Sequence, residues 1–578
     1  MLLSGAEIIV NCLEQLGVKY VFGQCGHSVP AFLAALEKSK IEFISFRHEQ
    51  NAAHAADGYF KVTHKPGVVL THVGPGLTNA VTGAAQAALS SSAQIIITGD
   101  VQSYNFGKTP HQEINLFSDA SQWEIYKPFI KRGWRVHDNR FLPRIVSKAF
   151  NIAQSGRPGV VLIDVPLDLS LQKVDIEIPE LSKWMVTGRR PVGDLDDISR
   201  AVDLLVRAER PFIYAGGGVI LSEASPELTQ IAEYLGIPVG TTLSGKGGID
   251  ETHPLAVGST GFWGTSSANE IALQSDLILG VGTRFSEFDA GLWDPKRVFA
   301  IPPAKLIHID IDPQEIGRNY PVEFGIVGDS KAVLGQMLEM TKERTKRRDY
   351  RNSPRFREVR RSVERWMETV SRLQNSDQVP IKIERVFKEV REMVPKDGII
   401  VSDVGGCKYG VAQIPFYGPG TNIPSSGFAT MGFAPAAAIG AKIGRPEKNV
   451  VAIVGDGAFS SVSSVLATAV EQGVNVVWVV INNYGYCSNT EIIVELFKTA
   501  YGTEHRIKRT GEPYNPDFAK MAESYSAKGE CIKKPEEIRG ALERAFKSGS
   551  PYVLDVIVGF EGSFSQNQGN VTEILTKK

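Results

Sequence analysis

Short apolar runs alternate with amphipathic segments along almost the whole chain. The runs GVVLTHVG (67–74), AQIIITGD (93–100) and GVVLIDVP (159–166) have the length and the β-branched composition of buried strands. Segments of helical period lie between them, and this alternation predicts a parallel α/β sheet. The same alternation occurs again over residues 211–313 and 397–559, so the chain contains three blocks of one type.

Polar segments separate these blocks. Residues 170–194 are polar and contain prolines, which predicts a linker, and residues 340–380 are dense in Arg, Lys and Glu, which predicts a solvated helix and connector. The predicted fold class is α/β, with three doubly wound parallel-sheet domains. We assign these domains to residues 1–175, 190–345 and 375–562, followed by a C-terminal tail over 563–578.

Composition narrows the range of partners. The chain has 578 residues, a net charge of −1 and 43% hydrophobic residues, so it offers no basic excess for nucleic acid or a membrane surface. No apolar run is long enough to span a bilayer, and the N-terminal segment, with Glu7 and Glu14, is amphipathic instead of resembling a signal peptide. The five cysteines show neither zinc-ligand nor disulfide spacing, so we expect a cytoplasmic protein.

The stretch IVGDGAFSSVSSV (453–465) carries the first candidate chemistry. On its own, an Asp between two glycines after an apolar strand fits a tight turn as well as a phosphate or metal site. It lacks the Gly-Lys-Ser/Thr of a Walker loop and the third glycine of a dinucleotide fingerprint. A helix is predicted over 460–471 and a buried strand over 474–483. Since neighbouring parallel strands end at one ligand-binding edge, Asp456 should lie beside Asn483, and both offer oxygens to a hard cation such as Mg2+.

This succession of Gly-Asp-Gly, helix, strand and Asn-Asn resembles the motif of thiamine diphosphate-dependent enzymes. The resemblance implies that Asp456, Asn483 and the backbone carbonyl of Gly485 bind the metal. It also implies that the cofactor diphosphate contacts the turn at Gly455, Gly457 and Ala458. The expected cofactors are therefore thiamine diphosphate and Mg2+, and the expected substrate is a small carbonyl compound.

Thiamine chemistry also requires a carboxyl group bonded to the pyrimidine ring of the cofactor, in an apolar niche that raises its pKa. The segment RHEQNAAHAADGY (47–59) follows an apolar strand and places Glu49 at the carboxyl edge of the first sheet. Taken alone, Glu49 is better explained as an ordinary first-turn acid favoured by the helix dipole. The segment closely resembles the one that carries the activating glutamate in acetolactate synthases, which implies that role for Glu49.

The resemblance to acetolactate synthases covers nearly the whole chain. It continues through GPGLTNAVTG (74–83), HIDIDPQEIG (308–317) and FATMGFAPAAAIGA (428–441). It implies a first domain that binds the pyrimidine, a central domain, and a third domain that binds the diphosphate. It further implies that Met431 props the thiamine in its bent conformation and that the backbone of Ala429 accepts a hydrogen bond from the pyrimidine amine.

Three histidines depart from the acetolactate synthase pattern. His27 replaces a glycine, His72 replaces a small residue, and His111 replaces a phenylalanine before Gln112. Benzoylformate decarboxylase has a catalytic histidine at the place of His72, and cyclohexane-1,2-dione hydrolase also carries one at the place of His27. A single histidine is more often a core or surface residue, but three at these positions favour proton transfer to or from a substrate oxygen. We therefore treat the three histidines and Gln112 as catalytic candidates.

The central domain resembles a nucleotide site only in part. The positions that hold FAD in acetolactate synthases, or ADP in acyl-CoA relatives, are matched by Gly216, Gly217, Gly218, Arg284 and Asp329. Trp263 stands where a histidine usually contacts FAD. We expect FAD in this domain, with ADP as the alternative.

The leading hypothesis is a thiamine diphosphate-dependent lyase or carboligase acting on a 2-keto acid. The Gln, Met and Trp pattern of acetolactate synthases is absent after NNYGY, so a cyclic 1,2-dione hydrolase and a 2-hydroxyacyl-CoA lyase or oxalyl-CoA decarboxylase are alternatives. A nicotinamide dehydrogenase built on IYAGGGV lacks a third glycine in register. Intact Glu49, Asp456 and Asn483 argue against a non-catalytic homologue. In the resembled family one site takes its glutamate and its metal motif from different subunits, which implies a homodimer or a dimer of dimers.

Overall fold

The computed structural model describes residues 1–115, 121–186 and 188–560, and the predicted tail over 563–578 lies outside them. The elements of the first domain are β1 (Leu2–Ser4), α1 (Gly5–Gln15), β2 (Tyr20–Gly23), α2 (Pro30–Glu37), β3 (Glu42–Ser45), α3 (Glu49–Thr63), β4 (Gly67–Thr71), α4 (Pro75–Leu89), β5 (Gln94–Asp100), β6 (Arg132–Arg135), α5 (Leu142–Gln154), β7 (Val160–Pro166), α6 (Leu167–Leu171) and β8 (Lys173–Asp175). Six of its strands form a parallel sheet in the order β3-β2-β4-β5-β7-β6.

The central domain is a second six-stranded parallel sheet. Its elements are α7 (Leu195–Arg207), β9 (Pro211–Ala215), α8 (Gly217–Leu221), α9 (Ser225–Leu235), β10 (Val239–Thr241), β11 (Ala256–Ser259), α10 (Ser266–Leu273), β12 (Leu277–Val281), β13 (Lys305–Asp310), β14 (Phe324–Val327) and α11 (Ser330–Arg344). The strand order is β11-β10-β9-β12-β13-β14. A long helix, α12 (Pro354–Gln374), then leads to the third domain and buries Val359, Trp366 and Val370 at helical spacing.

The third domain repeats the architecture. Its elements are α13 (Ile383–Met393), β15 (Ile399–Ser402), α14 (Gly406–Ala412), β16 (Asn422–Pro424), α15 (Phe433–Gly444), β17 (Val450–Gly455), α16 (Asp456–Val462), α17 (Val465–Glu471), β18 (Val477–Asn482), α18 (Cys487–Phe497), α19 (Phe518–Ser524), β19 (Lys528–Ile532), α20 (Glu537–Lys547) and β20 (Tyr552–Ile557). The parallel sheet has the order β16-β15-β17-β18-β20-β19. The predicted fold class, three parallel-sheet α/β domains, is confirmed.

Both faces of these sheets are covered, as the continuous apolar runs predicted. In β5, Ile96 packs into one core cluster whereas Ile95 and Ile97 pack into another on the opposite face. In β17, Ala452 and Ile453 divide between two clusters in the same way. Alternation of side chains along a strand explains why every residue of such a run is buried.

One core cluster joins the first and third domains of the same chain through helices α3 and α15. The two helices approach so closely that only glycine fits at the crossing. A Cβ on Gly58 would lie 2.0 Å from the carbonyl oxygen of Ala437, and one on Gly440 would lie 1.8 Å from that of Ala55. These contacts fix the position of the two domains relative to each other. They also fix the position of the residues at the start of α3.

The structure differs from the sequence-based prediction at two places. The segment predicted as a linker contains β8, which pairs antiparallel with β1 and brings Leu3 opposite Val174. Strands of three residues are too short to show a period, which explains why the pattern missed them. The helix predicted over 460–471 begins earlier, at Asp456, and is interrupted between α16 and α17. None of the helices within the described ranges has both the length and the apolar character needed to cross a membrane.

Candidate active site

The carboxyl ends of β17 and β18 meet at one edge of the third sheet. The two strands pair in parallel with Gly455 opposite Ile481, and α16 begins with Asp456 immediately after β17. Asp456 Oδ2 accepts hydrogen bonds from the backbone N–H groups of Asn483 at 3.1 Å and Gly485 at 3.3 Å. The structure thus brings the three predicted metal-binding residues into contact.

The side-chain oxygen of Asn483 is buried and has no hydrogen-bond partner. An unpaired buried acceptor is costly, and a cation is one partner that would satisfy it. Together with an Asp456 carboxylate oxygen and the carbonyl oxygen of Gly485, it forms the all-oxygen donor set that Mg2+ prefers. These residues fit a cation that also binds a diphosphate. Nowhere in the described ranges do three or more His, Cys, Asp or Glu side chains come together to hold a metal ion.

The electrostatic environment of Asp456 combines burial with hydrogen bonds. Burial raises the pKa of its carboxyl group, and hydrogen bonds from the Asn515 side chain and from the backbone of Gly457 and Gly485 act in the opposite direction. Asn515 Nδ2 donates to Oδ2 at 2.8 Å, and the Gly457 N–H donates to Oδ1 at 2.6 Å. These donors favour the ionised form, which is the form that binds a cation.

The glycines of the turn have different surroundings. A Cβ on Gly457 would lie 2.5 Å from the ring of Tyr486, so this position has no room for a side chain. A Cβ on Gly455 would meet no atom within 4 Å, so the backbone there is open to a ligand. Ala458 is buried in the first turn of α16. Of the three positions expected to contact the diphosphate, Gly455 is therefore open, whereas Gly457 and Ala458 are packed within the protein.

Glu49 is the first residue of α3 and is buried, with 5% of its surface exposed. Its Oε2 accepts a hydrogen bond from Asn79 Nδ2 at 3.0 Å. In the amide orientation that satisfies both groups, Gln24 donates to both carboxylate oxygens at 3.2 Å. A Cβ on Gly76 would lie 3.0 Å from Glu49 Oε1 and 2.9 Å from the Cβ of His72, so Glu49 and His72 flank the same glycine.

The three predicted histidines form one cluster beside this carboxylate. The ring centroids of His27 and His72 are 4.6 Å apart, and those of His27 and His111 are 5.6 Å apart. His72 is buried, whereas His27 and His111 are exposed in the single chain. Desolvation lowers the pKa of His27, and His72 and His111 lower it further by charge repulsion. The surroundings of His27 therefore favour its neutral imidazole.

Hydrogen bonds hold the ring of His72 in one orientation. Its Nδ1 accepts from the backbone N–H of Ser28 at 3.4 Å and lies 3.1 Å from Ser28 Oγ, whose hydroxyl can donate to the same nitrogen. Its Nε2 is 2.8 Å from Gln112 Oε1, which can only accept. The pattern assigns the proton of neutral His72 to Nε2. Gln112 contacts the imidazole, and its own backbone has a φ of 64°, in the left-handed region.

Met431 and Ala429 lie on the segment before α15. Met431 exposes 37% of its surface, and Ala429 has a φ of 57°, which is unusual for a residue other than glycine. Thr430, between them, donates through its backbone and its hydroxyl group to Gln86 Oε1, at 3.3 and 3.1 Å. The last turn of α4 therefore positions this segment.

A cavity of about 580 Å³ opens beside the central sheet. Gly216, Gly217, Gly218, Arg284 and Asp329 all line it, as do residues of the first domain and Ser426 of the third. Its volume is within the range of cofactor sites. A Cβ on Gly216 would collide with the carbonyl oxygen of Gly282 at 2.1 Å, whereas one on Gly217 would come no closer than 3.4 Å to Ser244. Gly216 is thus required by backbone packing, whereas a Cβ on Gly217 would lie in ordinary van der Waals contact with Ser244, which also lines the cavity.

Two of the cavity residues are already engaged within the protein. Asp329 caps α11 through the N–H groups of Lys331 and Ala332 and also pairs with Arg190. Arg284 donates to the carbonyl oxygen of Leu89 at 2.9 Å.

Trp263, at the place of the usual FAD-contacting histidine, stacks on Phe288 with centroids 4.5 Å apart. The ammonium group of Lys408 lies 5.2 Å from the centroid of the same indole ring. Burial lowers the pKa of Lys408 to about 8. The environment of Trp263 is therefore aromatic and cationic, unlike that expected for a histidine.

Sequence reasoning missed the residues that support these side chains. Gln24 and Asn79 hold Glu49, Ser28 holds His72, and Asn515 holds Asp456. None belongs to a motif with fixed spacing. Ser28 and Gln24 lie close to His27 in the sequence, and this proximity was the one feature of the sequence that could have identified them.

Comparison with known proteins places the chain in a family. Residues 3–121 match the model of the thiamine pyrophosphate enzyme N-terminal TPP-binding domain, residues 198–337 match its central domain, and residues 403–556 match its C-terminal TPP-binding domain. The chain is 38% identical over 575 residues to a probable acetolactate synthase large subunit of Methanocaldococcus jannaschii, covering 96% of this chain and 92% of that protein.

Other relatives agree with this similarity. The acetolactate synthase large subunit of Corynebacterium glutamicum is 36% identical, with 96% of this chain and 87% of that protein covered. The acetolactate synthase large subunit of Haemophilus influenzae is 35% identical, with 94% and 92% covered. The chain therefore belongs to the thiamine pyrophosphate enzyme family and is an enzyme of the acetolactate synthase-like type.

Proposed function

We propose that this enzyme uses thiamine diphosphate and Mg2+ to cleave or form a C–C bond next to a carbonyl group, as a 2-keto acid decarboxylase or carboligase. The observation that carries the proposal is that the Glu49 carboxylate and the Cβ of His72 both pack against Gly76, within 3.0 Å of where its Cβ would lie. One group suits activation of the cofactor, and the other suits proton transfer to a substrate oxygen. The names of the relatives support a reaction of the acetolactate synthase type.

Each group of the chain has a definite task in this chemistry. Thiamine diphosphate, when bound, supplies a nucleophilic carbon and an electron sink for the bond next to the carbonyl. Asp456, Asn483 and the carbonyl of Gly485 would hold the cation and, through it, the diphosphate. Glu49 would hold a proton at the pyrimidine ring nitrogen, and His72 would give or take a proton at the substrate oxygen.

The substrate class is tested by supplying the purified enzyme with thiamine diphosphate, Mg2+ and one compound at a time. The panel contains pyruvate, 2-ketobutyrate, cyclohexane-1,2-dione and a 2-hydroxyacyl-CoA. We expect a 2-keto acid to be consumed with release of CO2 and formation of an aldehyde or a coupled hydroxy-keto acid. Turnover of the dione or of the CoA thioester, with no CO2 from any keto acid, would refute the proposed substrate class.

The histidine cluster favours decarboxylation over carboligation within the proposed function, and it makes dione hydrolysis the second candidate, because both reactions need a proton at a carbanion or at an oxygen. Under the histidine proposal, His72→Ala lowers turnover of the true substrate by about 10²-fold, the lower part of the range for general acid–base catalysis. It should leave thiamine diphosphate affinity unchanged, because Asp456 and Asn483 do not contact His72. Steady-state kinetics and calorimetry measure the two effects.

His137→Ala is the matched control, because His137 is an exposed histidine of the same domain outside the cluster. A decrease of less than tenfold for His72→Ala, and likewise for His27→Ala and His111→Ala, would mean that these side chains only line the site. Carboligation of the acetolactate type would then gain over decarboxylation and dione hydrolysis.

We also infer a homodimer or a dimer of dimers in which each site is shared between chains. Along α4, Glu49 contacts Asn79 near the first turns, whereas Thr430, next to Met431, contacts Gln86 near the last turn. Seven residues of helix separate these contacts by about 10 Å. Within one chain, the activating carboxylate and the segment of Met431 therefore lie at different ends of the same helix.

A second set of contacts supports the same inference. Thr468 Oγ1 donates to the carbonyl oxygen of Ser45 at 2.9 Å, and Arg47 forms an ion pair with Glu471. These contacts attach the edge that carries Glu49 to the C-terminal end of α17, whereas Asp456 lies at the beginning of α16. A second copy of the chain would supply the half of the active site that one chain lacks.

Mixing two inactive variants tests the shared site. Chains with Glu49→Gln and chains with Asp456→Ala are each expected to be inactive, and after subunit exchange a heterodimer should regain one intact site. Random mixing then restores about a quarter of wild-type activity, because half of the dimers are mixed and each has one good site of two. Mass spectrometry verifies the exchange, and no recovery in verified heterodimers would contradict the shared site.

For the central cavity we propose FAD, with ADP as the alternative. Gly217→Leu adds a side chain at the lining of this cavity, where a Cβ meets only Ser244 at 3.4 Å or more, so the purified variant should lose the bound nucleotide. Flavin absorbance and chromatography of the nucleotide released by heat measure the loss. Gly335→Leu is the control, since a Cβ there meets no atom within 4 Å and Gly335 lies on α11, away from the cavity lining. Equal nucleotide content in wild type and Gly217→Leu would contradict binding in this cavity.

A further inference from the structure

A hairpin after α18 folds back onto the candidate cation site. Glu504 forms an antiparallel bridge with Gly485, Arg506 forms one with Pro513, and the Tyr514 N–H donates to the carbonyl oxygen of His505 at 3.0 Å. This hairpin, residues 504–515, ends at Asn515. Its two arms therefore bring His505 and Asn515 together beside the carboxyl edge of the third sheet.

The side chain of Asn515 is engaged on both its nitrogen and its oxygen. Nδ2 donates to Asp456 Oδ2 at 2.8 Å and to Asn482 Oδ1 at 2.7 Å. Oδ1 is 2.9 Å from His505 Nδ1. Because an ionised carboxylate can only accept, the amide nitrogen has to face Asp456, and the proton between Asn515 and His505 has to lie on Nδ1 of the imidazole. The amide therefore has one orientation.

The two oxygens of Asp456 are unequally engaged, and this amide increases the difference. Oδ2 accepts three hydrogen bonds, from Asn483 N, Gly485 N and Asn515 Nδ2, whereas Oδ1 accepts one, from Gly457 N. A carboxylate oxygen has about two lone-pair sites, so Oδ2 is saturated and Oδ1 keeps capacity for a further partner. Asn483 Oδ1, buried and unpaired, offers the second free oxygen of the same edge.

We propose that Asn515 is a positioning residue of the cation site, held in place by His505. It adds a third donor to Asp456 Oδ2, which two backbone N–H groups already engage, and so helps to hold the carboxylate in the orientation that leaves Oδ1 for the divalent cation. The proposal rests on the Mg2+ site of the proposed function and adds to it a residue on a hairpin that follows the metal motif by about thirty positions in the sequence. The hairpin is thereby part of the machinery that binds the cation, although it does not contact it.

The test measures divalent cation binding directly, with Mn2+ as the probe. Wild type, Asn515→Ala and His505→Ala are titrated with Mn2+ at a fixed excess of thiamine diphosphate, and free Mn2+ is read by electron paramagnetic resonance. Loss of a group that orients a metal ligand typically weakens affinity by about 10- to 100-fold, and we expect this for Asn515→Ala. His505→Ala should give a smaller loss of about threefold or more, because Asn515 keeps its bonds to Asp456 and Asn482.

Asn489→Ala is the matched control, because Asn489 is an exposed asparagine on α18. It should bind Mn2+ as wild type does. A positioning role also changes the spectrum of bound Mn2+, whereas a merely structural role would lower the melting temperature of the metal-free protein and leave the affinity of the folded protein unchanged. This second result, or wild-type affinity in both variants, would overturn the proposal.

Failure of the proposed function has a different signature. If wild type binds no Mn2+ in the presence of thiamine diphosphate, there is no cation site and both proposals fall. If wild type binds and Asp456→Ala does not, the cation site stands, and the affinities of Asn515→Ala and His505→Ala decide the role of the hairpin. Should Asn515→Ala fail to fold, His505→Ala carries the decision alone, and an affinity equal to wild type overturns the proposal.

Discussion

Replacement of Asp456 by alanine is expected to abolish metal-dependent binding of thiamine diphosphate, with a loss of affinity of more than about 100-fold, since removal of mere supporting groups already costs 10- to 100-fold. The carboxylate is the one charged group in the proposed oxygen set, and four hydrogen-bond donors already orient it. Without it, Asn483 and Gly485 offer only neutral oxygens to a divalent cation. Calorimetric titration with thiamine diphosphate, at saturating Mg2+ and without Mg2+, measures the loss.

The control is Asp397→Ala, which removes an exposed aspartate of the same domain that pairs with Lys448. It should bind the cofactor as wild type does. If Asp456→Ala also kept wild-type affinity, with the same dependence on Mg2+, the Gly-Asp-Gly segment would be only a turn. The cation site and the role of Asn515 would then be withdrawn together.

The fold could be predicted because fully buried parallel strands leave a strong signal. Runs such as residues 159–166 are apolar at nearly every position, with Asp164 the exception, since both faces of the sheet are covered, and each predicted run contains a strand of the structure. The pairing of β1 with β8 left no such signal. It depends on contact between positions about 170 residues apart, and two strands of three residues carry no period.

The candidate site likewise contains residues whose contact the sequence predicts and residues whose contact it does not. Asp456, Asn483 and Gly485 follow strand ends at a fixed topological edge, so their contact followed from sequence order alone. Asn515 reaches the same edge by a hairpin whose path no local pattern determines. The hydrogen bonds that His72 forms with Ser28 and Gln112 likewise join three separate loops at the ends of the first sheet.

The structure also adds information that no motif contains. Glu49 and Asp456 are each recognisable from neighbouring residues, but their distance within one chain depends on how the first and third domains pack. The crossing of α3 and α15 at Gly58 and Gly440 sets that packing. This packing attaches the sheet edge that carries Glu49 to the C-terminal end of α17, away from Asp456 at the beginning of α16. For this reason we expect a second chain to contribute to each site.

Glu49→Gln is expected to slow exchange of the thiazolium C2 proton of bound thiamine diphosphate by about 10²- to 10⁴-fold, the usual contribution of a positioned acid–base group. The amide keeps the size of the carboxyl group and can still accept from Asn79, so the fold around α3 should be retained. It cannot, however, hold an acidic proton at the pyrimidine ring nitrogen. Quenched-flow exchange in deuterated water, followed by NMR of the released cofactor, measures the rate.

Cofactor affinity provides the internal control for this variant. Asp456 and Asn483 are unchanged in Glu49→Gln, so calorimetry should give an affinity within a few-fold of wild type even where exchange is slow. Glu42→Gln, at an exposed position of β3, should change neither quantity. Exchange as fast as in wild type, at full occupancy of the cofactor, would remove Glu49 from the activation step. The buried carboxylate beside Gly76 would then serve only to anchor α3 and α4 through Asn79.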